Sequence, residues 1–250
     1  MPSFPVAART LAALLTVVIA ATRAAAQGPS GADPRRVAPQ SLLYAVTVAD
    51  GRDSAQFYSQ LDVVETRFAD APAWLLVSHR DTPQAEVLDS ITFAKADLAP
   101  LRRSLRVGGA SMVNLFRRDS VIGTIVTPGG GAAVALANSA GLLASTDMFV
   151  VLLGALPLRA GWTGRFAVIN ARGSGIATTD LAVTGQERVM VPAGSFDTWV
   201  VRVHEGDAEQ TWWVSRDLGR IVQARTTSPR TPGTMITMRL RTASAAAAPR

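Results

Sequence analysis

From Ser41 to Leu240 the chain alternates apolar and polar residues in short runs, each closed by turn-forming residues. That is the period of half-buried β-strands. The pattern predicts strands over 42–48, 57–64, 74–79, 85–93, 101–107, 111–116, 121–126 and 132–136. After a break it resumes over 165–169, 181–184, 187–191, 198–204, 210–215, 221–224 and 234–240. Asp50-Gly51, Gly108-Gly109, Arg118-Asp119 and Glu205-Gly206-Asp207 are the hairpin turns, and Gly185 marks a bulge or turn within one run. Strand follows strand with local connections, so the chain reads as two similar meanders.

One stretch breaks the rhythm. Met148, Phe149, Val150, Val151, Leu152, Leu153, Ala155 and Leu156 form an apolar run with no polar face, preceded by Ser145, Thr146 and Asp147 and stopped by Pro157. A serine or threonine cap, an acid at the positive end and a proline stop predict a helix. A helix apolar all round must be buried, and this one is far too short to cross a bilayer. Burying its seven large side chains contributes roughly 10–20 kcal/mol. Ordering about twelve residues costs roughly 18 kcal/mol. The helix cannot stand alone, and the fold class that follows is mainly β: a large curved antiparallel sheet, a half-barrel-like meander, wrapped around one central apolar helix.

The ends of the chain are different in kind. Arg9, the apolar stretch 11–21 and Ala24-Ala25-Ala26 before Gln27 have the layout of a secretory signal peptide over residues 1–26. Residues 27–40, rich in Gly and Pro, read as a flexible leader, 41–241 as a single β-rich domain, and the Ala-rich 242–250 as a disordered tail. No cysteine is present, which excludes a lipid attached at a lipobox and any disulfide. The expected location is periplasmic or secreted, with no integral membrane span once the signal is cleaved.

The net charge of +6 changes little. Two arginines lie in the first 26 residues and five in 224–250, neither stretch holding an acid, which leaves 18 basic against 19 acidic residues in 27–223. A neutral body offers no basic groove to a nucleic acid. Arg102, Arg103, Arg106, Arg117 and Arg118 fall on adjacent strands, either as a basic strip toward anionic head groups or as scattered surface charge.

Candidate chemistry is thin. His79 and His204 are far apart in the chain, at no metal-ligand spacing, and there is no G-x-S-x-G around any serine. Gly129-Gly130-Gly131 lacks the Lys-Ser/Thr of a phosphate loop, and Glu205, Asp207 and Glu209 read as an acidic turn before a calcium site. No catalytic residue, metal site or cofactor is assigned. Trp199, Trp212 and Trp213 concentrate aromatics in one hairpin; such rings either line a cavity under the helix or fill the core. The candidate ligand-contacting residues are Phe149, Leu152 and Leu153 of the helix, with Phe116, Trp199 and Trp213 of the strands.

Val191-Pro192-Ala193-Gly194-Ser195-Phe196-Asp197-Thr198-Trp199, then Thr211-Trp212-Trp213-Val214 and Asp217-Leu218-Gly219-Arg220-Ile221-Val222, resemble the turn-and-strand motifs of exported bacterial proteins grouped as domain of unknown function 3108. Leu98-Ala99-Pro100-Leu101-Arg102 and residues 116–123 are similar to that family's pattern as well. The resemblance implies a secreted or periplasmic β-rich domain, related in shape to the half-barrel lipoprotein carriers that enclose a helix and hold acyl chains. It carries no catalytic residues to transfer.

The function expected is therefore an exported, non-catalytic domain binding an apolar or amphipathic, lipid-like molecule between helix and sheet. The alternative is a structural or interaction domain of the cell envelope whose helix merely completes the core. A hydrolase ranks last.

Overall fold

Strand-forming runs and two-residue turns carry through into the computed structural model, which describes residues 28–51, 53–170, 173–227 and 233–246. The segment read as a signal peptide lies outside the described residues. β1 (Gln40–Asp50), β2 (Asp53–Phe68), β3 (Ala71–Asp81), β4 (Glu86–Ala94), β5 (Pro100–Val107), β6 (Ala110–Phe116), β7 (Ser120–Thr127) and β8 (Gly130–Ala137) make the first meander. β9 (Thr163–Ile169), β10 (Ile176–Val191), β11 (Gly194–Glu205), β12 (Ala208–Ser215), β13 (Ile221–Thr227) and β14 (Thr234–Ser244) make the second. The two are joined edge to edge by antiparallel pairing of β1 with β14, giving one unclosed sheet of 14 strands in the order β8 to β1, then β14 to β9. β14 runs on to Ser244, paired with Ser41, so the first three residues of the stretch read as a tail are strand. Extended backbone beside a free edge of β1 explains why.

Every second residue points to the concave face. Leu42, Tyr44 and Val46 on β1 face Leu61, Ser59 and Phe57 on β2, and Leu240 and Met238 on β14 continue the row. The same parity brings in Leu76 of β3, Ile91 and Phe93 of β4, and Trp212 of β12, all buried. The helix lies against this face. It begins as a 3-10 turn, Thr146–Met148, with the Ser145 hydroxyl accepting from the Asp147 N–H at 3.0 Å, and continues as α1 (Phe149–Ala155). Phe149, Val150, Val151, Leu152, Leu153 and Ala155 are all buried. Phe149 packs edge-on to Phe166 (5.3 Å) and tilts against Trp212 (5.4 Å).

The helix is shorter than the trough that holds it. Seven α-helical and three 3-10 residues span about 16 Å, whereas an 11-residue strand such as β1 spans about 36 Å. Its C-terminal half lies at the end of the sheet where the β12–β13 turn sits: Gly219, at φ +61°, leaves so little room that a Cβ there would stand 2.3 Å from Gly154 Cα. The Asp33 N–H, in the segment read as a leader, donates to the Ala155 carbonyl at 2.9 Å and closes that end, just ahead of a 3-10 turn at Pro34–Arg36. At the other end, where the chain turns after β1, β3, β5 and β11, the helix stops short and the trough stays open.

Candidate functional site: a two-lobed cleft beyond the helix

The open end of the trough holds two adjoining hollows. The first, about 300 Å³, is mostly apolar, walled by Val46, Phe57, Leu61, Val150, Trp212 and Met238. The second, about 410 Å³, is bordered by Leu105 and Val107 but also by Thr82, Arg80, Arg103 and Glu205. Phe57, Arg80, Thr146 and Asp147 line both, so the hollows form one cleft that grades from apolar to polar. Volumes of this size suit small-molecule ligands.

Strand parity puts a belt of polar groups on the inner face of this region. Ser59, Ser78, Arg80, Asp89, Arg103 and Asn114 sit on successive strands β2 to β6, all pointing inward. Arg103 is held on all three nitrogens: its Nε lies 3.1 Å from both Asp89 oxygens, Nη2 donates to Asp89 Oδ2 at 2.7 Å and Nη1 to the Ala144 carbonyl at 2.9 Å. Burial pushes the Asp89 carboxyl above its ordinary value, against the lowering pull of Arg103. Arg80 is less committed. Its Nη2 donates to Asp147 Oδ2 at 3.2 Å, and its Nε is buried with no partner. Glu205, at the end of β11, is raised above the usual carboxylate range by desolvation.

Of the two readings of the arginines on adjacent strands, the continuous strip does not form: Arg103 points inward to Asp89 while Arg102 and Arg106 point out. His79 and His204 both lie on the outward parity of their strands, His79 beside Glu86 at 3.0 Å. Among the described residues no three His, Asp or Glu side chains converge as metal ligands, and no helix is long and apolar enough to cross a membrane.

The residues singled out from sequence fall elsewhere. Phe149, Leu152 and Leu153 meet in the core, each at most 1% exposed, and Phe116 joins the same core from β6, paired with Val121. Trp199 is half-buried at the closed end, with Arg216 4.9 Å from its ring. Trp213, being next to Trp212, faces the opposite side of the sheet. There the β10–β11 hairpin, kinked by a register shift at Gly185, bends over it: the Trp213 indole N–H donates to Glu187 at 2.7 Å, and the Ala193 N–H reaches the Leu240 carbonyl. None of the six lines the cleft. Of those that do, Phe57 and Arg80 had parity as their only signal, whereas Val150 belonged to the all-apolar helix, Trp212 to the aromatic hairpin and Glu205 to the acidic turn. Parity gives a face and not a vacancy.

The model of the family described as "Protein of unknown function (DUF3108)" matches residues 44–241, from the middle of β1 into β14. The chain belongs to the DUF3108 family. A search of the curated proteins returns no match for this DUF3108 chain. Among solved structures, it is similar to a β-barrel-like protein of domain of unknown function DUF1849 from Brucella abortus, with a TM-score of 0.58 at 11% identity, covering 85% of this chain and 99% of that one. The likeness is one of fold. A DUF1329 family protein from Desulfovibrio piger matches with a TM-score of 0.28 at 11% identity over 84% and 86% of the two chains. A LolA superfamily protein from Nitrosomonas europaea matches with a TM-score of 0.24 at 10% identity over 85% and 88%.

Proposed function

We propose that this DUF3108 protein is an exported, non-catalytic binding protein of the periplasm or exterior, and that it holds an apolar or amphipathic, lipid-like molecule in the cleft beyond the helix. One observation carries the reading: a helix too short for its trough leaves a hollow that is apolar on one side and charged on the other. An apolar hollow open to water is costly to leave unfilled, since its lining forgoes packing that an acyl chain would supply. Phe149, Leu152 and Leu153 act as the packed support that holds Val150 at the cleft wall, while Phe116, Trp199 and Trp213 brace the sheet around it. Export rests on the layout of residues 1–26. The absence of catalysis rests on the cleft's chemistry: its best-placed ion pair, Arg103 with Asp89, is locked, and both histidines face away.

The test is native mass spectrometry of the purified protein, with solvent extraction of what it carries. An acyl-containing species should be released, and an Ala224→Trp variant, which fills the apolar hollow that Ala224 of β13 helps to line, should carry none while keeping its fold. A wild-type protein that is empty and fails to bind a fluorescent fatty acid would overturn the reading.

A further inference from the structure

Resting on that reading of the cleft, we infer that the polar hollow takes a zwitterionic head group, an anion and a primary amine on one short linker, of the kind a phosphoethanolamine lipid carries. The charged side chains that face it are Arg80, Arg103, Asp147 and Glu205, with Asp89 behind Arg103. Arg103 has its charge met by Asp89 and an Nη1 hydrogen taken by the Ala144 carbonyl, and with its side chain only 5% exposed it offers little reach to a ligand. Two needs remain. Arg80 holds Asp147 through Nη2 alone; among the described residues its Nη1 makes no hydrogen bond, its side chain is 31% exposed, and its Nε is a buried donor without an acceptor. Buried donors are normally met, and a guanidinium edge fits the paired oxygens of a phosphate or carboxylate. Glu205 is the reverse case: a half-buried carboxylate that, among the described residues, forms no ion pair and accepts no side-chain hydrogen bond. Its burial is uncompensated, as its raised proton affinity reflects, and an ammonium group would relieve it.

A purely anionic head group would satisfy Arg80 but place a third negative charge beside Asp147 and Glu205. A purely cationic one would leave the open Nη1 edge of Arg80 unmet and set a second cation beside it. A head group with both signs answers both needs. Because Arg80, Phe57, Thr146 and Asp147 border both hollows, a chain attached to such a head group runs directly past them into the apolar side.

The experiment compares lysophosphatidylethanolamine with lysophosphatidylglycerol of the same acyl chain, each displacing a fluorescent fatty acid from the purified protein. The ethanolamine lipid should bind about tenfold more tightly, a difference that one charge-assisted contact supplies. Glu205→Gln, a conservative change at a half-exposed position, should abolish that preference, weakening the ethanolamine lipid and leaving the variant's affinity for the glycerol lipid equal to that of wild type or tighter. Arg80→Gln should weaken both lipids alike. Equal or tighter binding of the glycerol lipid, or a preference that survives Glu205→Gln, overturns the head-group assignment while leaving the cleft as an amphiphile site. If neither lipid nor the probe binds wild type, the site itself falls and the assignment with it.

Discussion

Arg103 and Asp89 stand diagonally across β5 and β4 with Nη2 2.7 Å from Oδ2, their side chains only 5% and 1% exposed. Arginine's rigid fork lets one residue do two jobs here: it neutralises a buried carboxylate and, through Nη1, ties the sheet to the Ala144 carbonyl just ahead of the helix. Removing one partner of such a pair leaves a buried charge uncompensated, which costs about 3–5 kcal/mol. Arg103→Met should therefore lower unfolding free energy by that amount in urea titrations at neutral pH. The double variant Arg103→Met, Asp89→Leu should lose clearly less than the two single changes added together, because no charge is then stranded. Additive losses would mean that the two do not act as a pair.

Tyr44 anchors the junction between the two meanders. It is fully buried on β1, and its hydroxyl donates to the Ile221 carbonyl at 2.9 Å, reaching across β14 to the start of β13. Burial holds its hydroxyl protonated well above the ordinary tyrosine range. Tyr44→Phe keeps the ring and removes the donor, at a cost of about 1–3 kcal/mol for a buried acceptor left unmet. The midpoint of urea unfolding should fall with the slope unchanged. A midpoint equal to wild type would show that the carbonyl has another partner.

Gly154 and Gly219 touch backbone to backbone where the helix ends, but they are not equivalent. Gly219 has φ +61° and faces Gly154 Cα at 2.3 Å from where its Cβ would stand, whereas a Cβ on Gly154 would come no closer than 3.4 Å to any atom outside its own helix, the Gly219 carbonyl oxygen. Gly219→Ala adds left-handed strain to a steric clash between two backbones, and it should cost more than 2 kcal/mol or so, at the severe end for a single change. Gly154→Ala gains up to about 1 kcal/mol of helix propensity against a small adjustment, and should lie near wild type. Thermal unfolding of the two variants side by side checks the asymmetry; equal effects would refute it.

Much of this architecture is legible in the chain, because its signals are local. Ser145 caps the helix and Pro157 stops it; alternation in Leu42, Tyr44 and Val46 assigns an inner face to β1, and Gly185 marks the shift in β10. The inward direction of Arg103 can likewise be read from its place between Leu101 and Leu105. Its partner cannot, since Asp89 is brought to it by register between strands. The vacancy is harder still. An apolar inner face looks the same whether a helix covers it, as at Leu76, or leaves it open, as at Phe57 and Met238. That outcome depends on helix length against strand length and on how tightly 14 strands curl. Trp213 shows the converse: on the outward face by parity, yet buried, because the kinked β10–β11 hairpin folds over it.

Leu152 separates a scaffold role from a ligand-binding one. It is fully buried on the helix and is not among the cleft-lining residues, so Leu152→Asp puts an unpaired carboxylate into the core. Loss of cooperative unfolding is expected, by more than about 4 kcal/mol, whether or not a lipid is present. Val150, about half a turn nearer the open end and at the cleft wall, should behave differently: Val150→Ala should cost about 1–2 kcal/mol and also weaken binding of the fatty acid probe. Circular dichroism melts and probe binding on both variants distinguish the two roles, and a Val150→Ala protein with unaltered probe affinity would argue that the apolar hollow is not where the chain of the ligand lies.

Glu205 gives a pH signature whose sign follows from its surroundings. Desolvation at the cleft holds its folded-state carboxyl above the ordinary 4.5. Folding then favours the protonated form, so the stability it contributes is present in full below that ordinary value and is lost as pH rises through the raised one. Arg80, Arg103 and Asp147 across the hollow and Thr179 opposite it on β10 keep their places when glutamine replaces it. Asp180 and Asp33, lowered by Arg165 and Arg35, contribute the opposite slope, but equally in both proteins. Unliganded Glu205→Gln should therefore melt at or below the wild-type temperature near about pH 4 and above it near about pH 7. With the ethanolamine lipid bound, the neutral-pH advantage of the variant should shrink or reverse, since an ammonium partner makes the ionised carboxylate the favoured form. A melting difference that is flat across the range would mean that Glu205 meets as much water in the folded chain as in the unfolded one, and that the hollow does not desolvate what it holds.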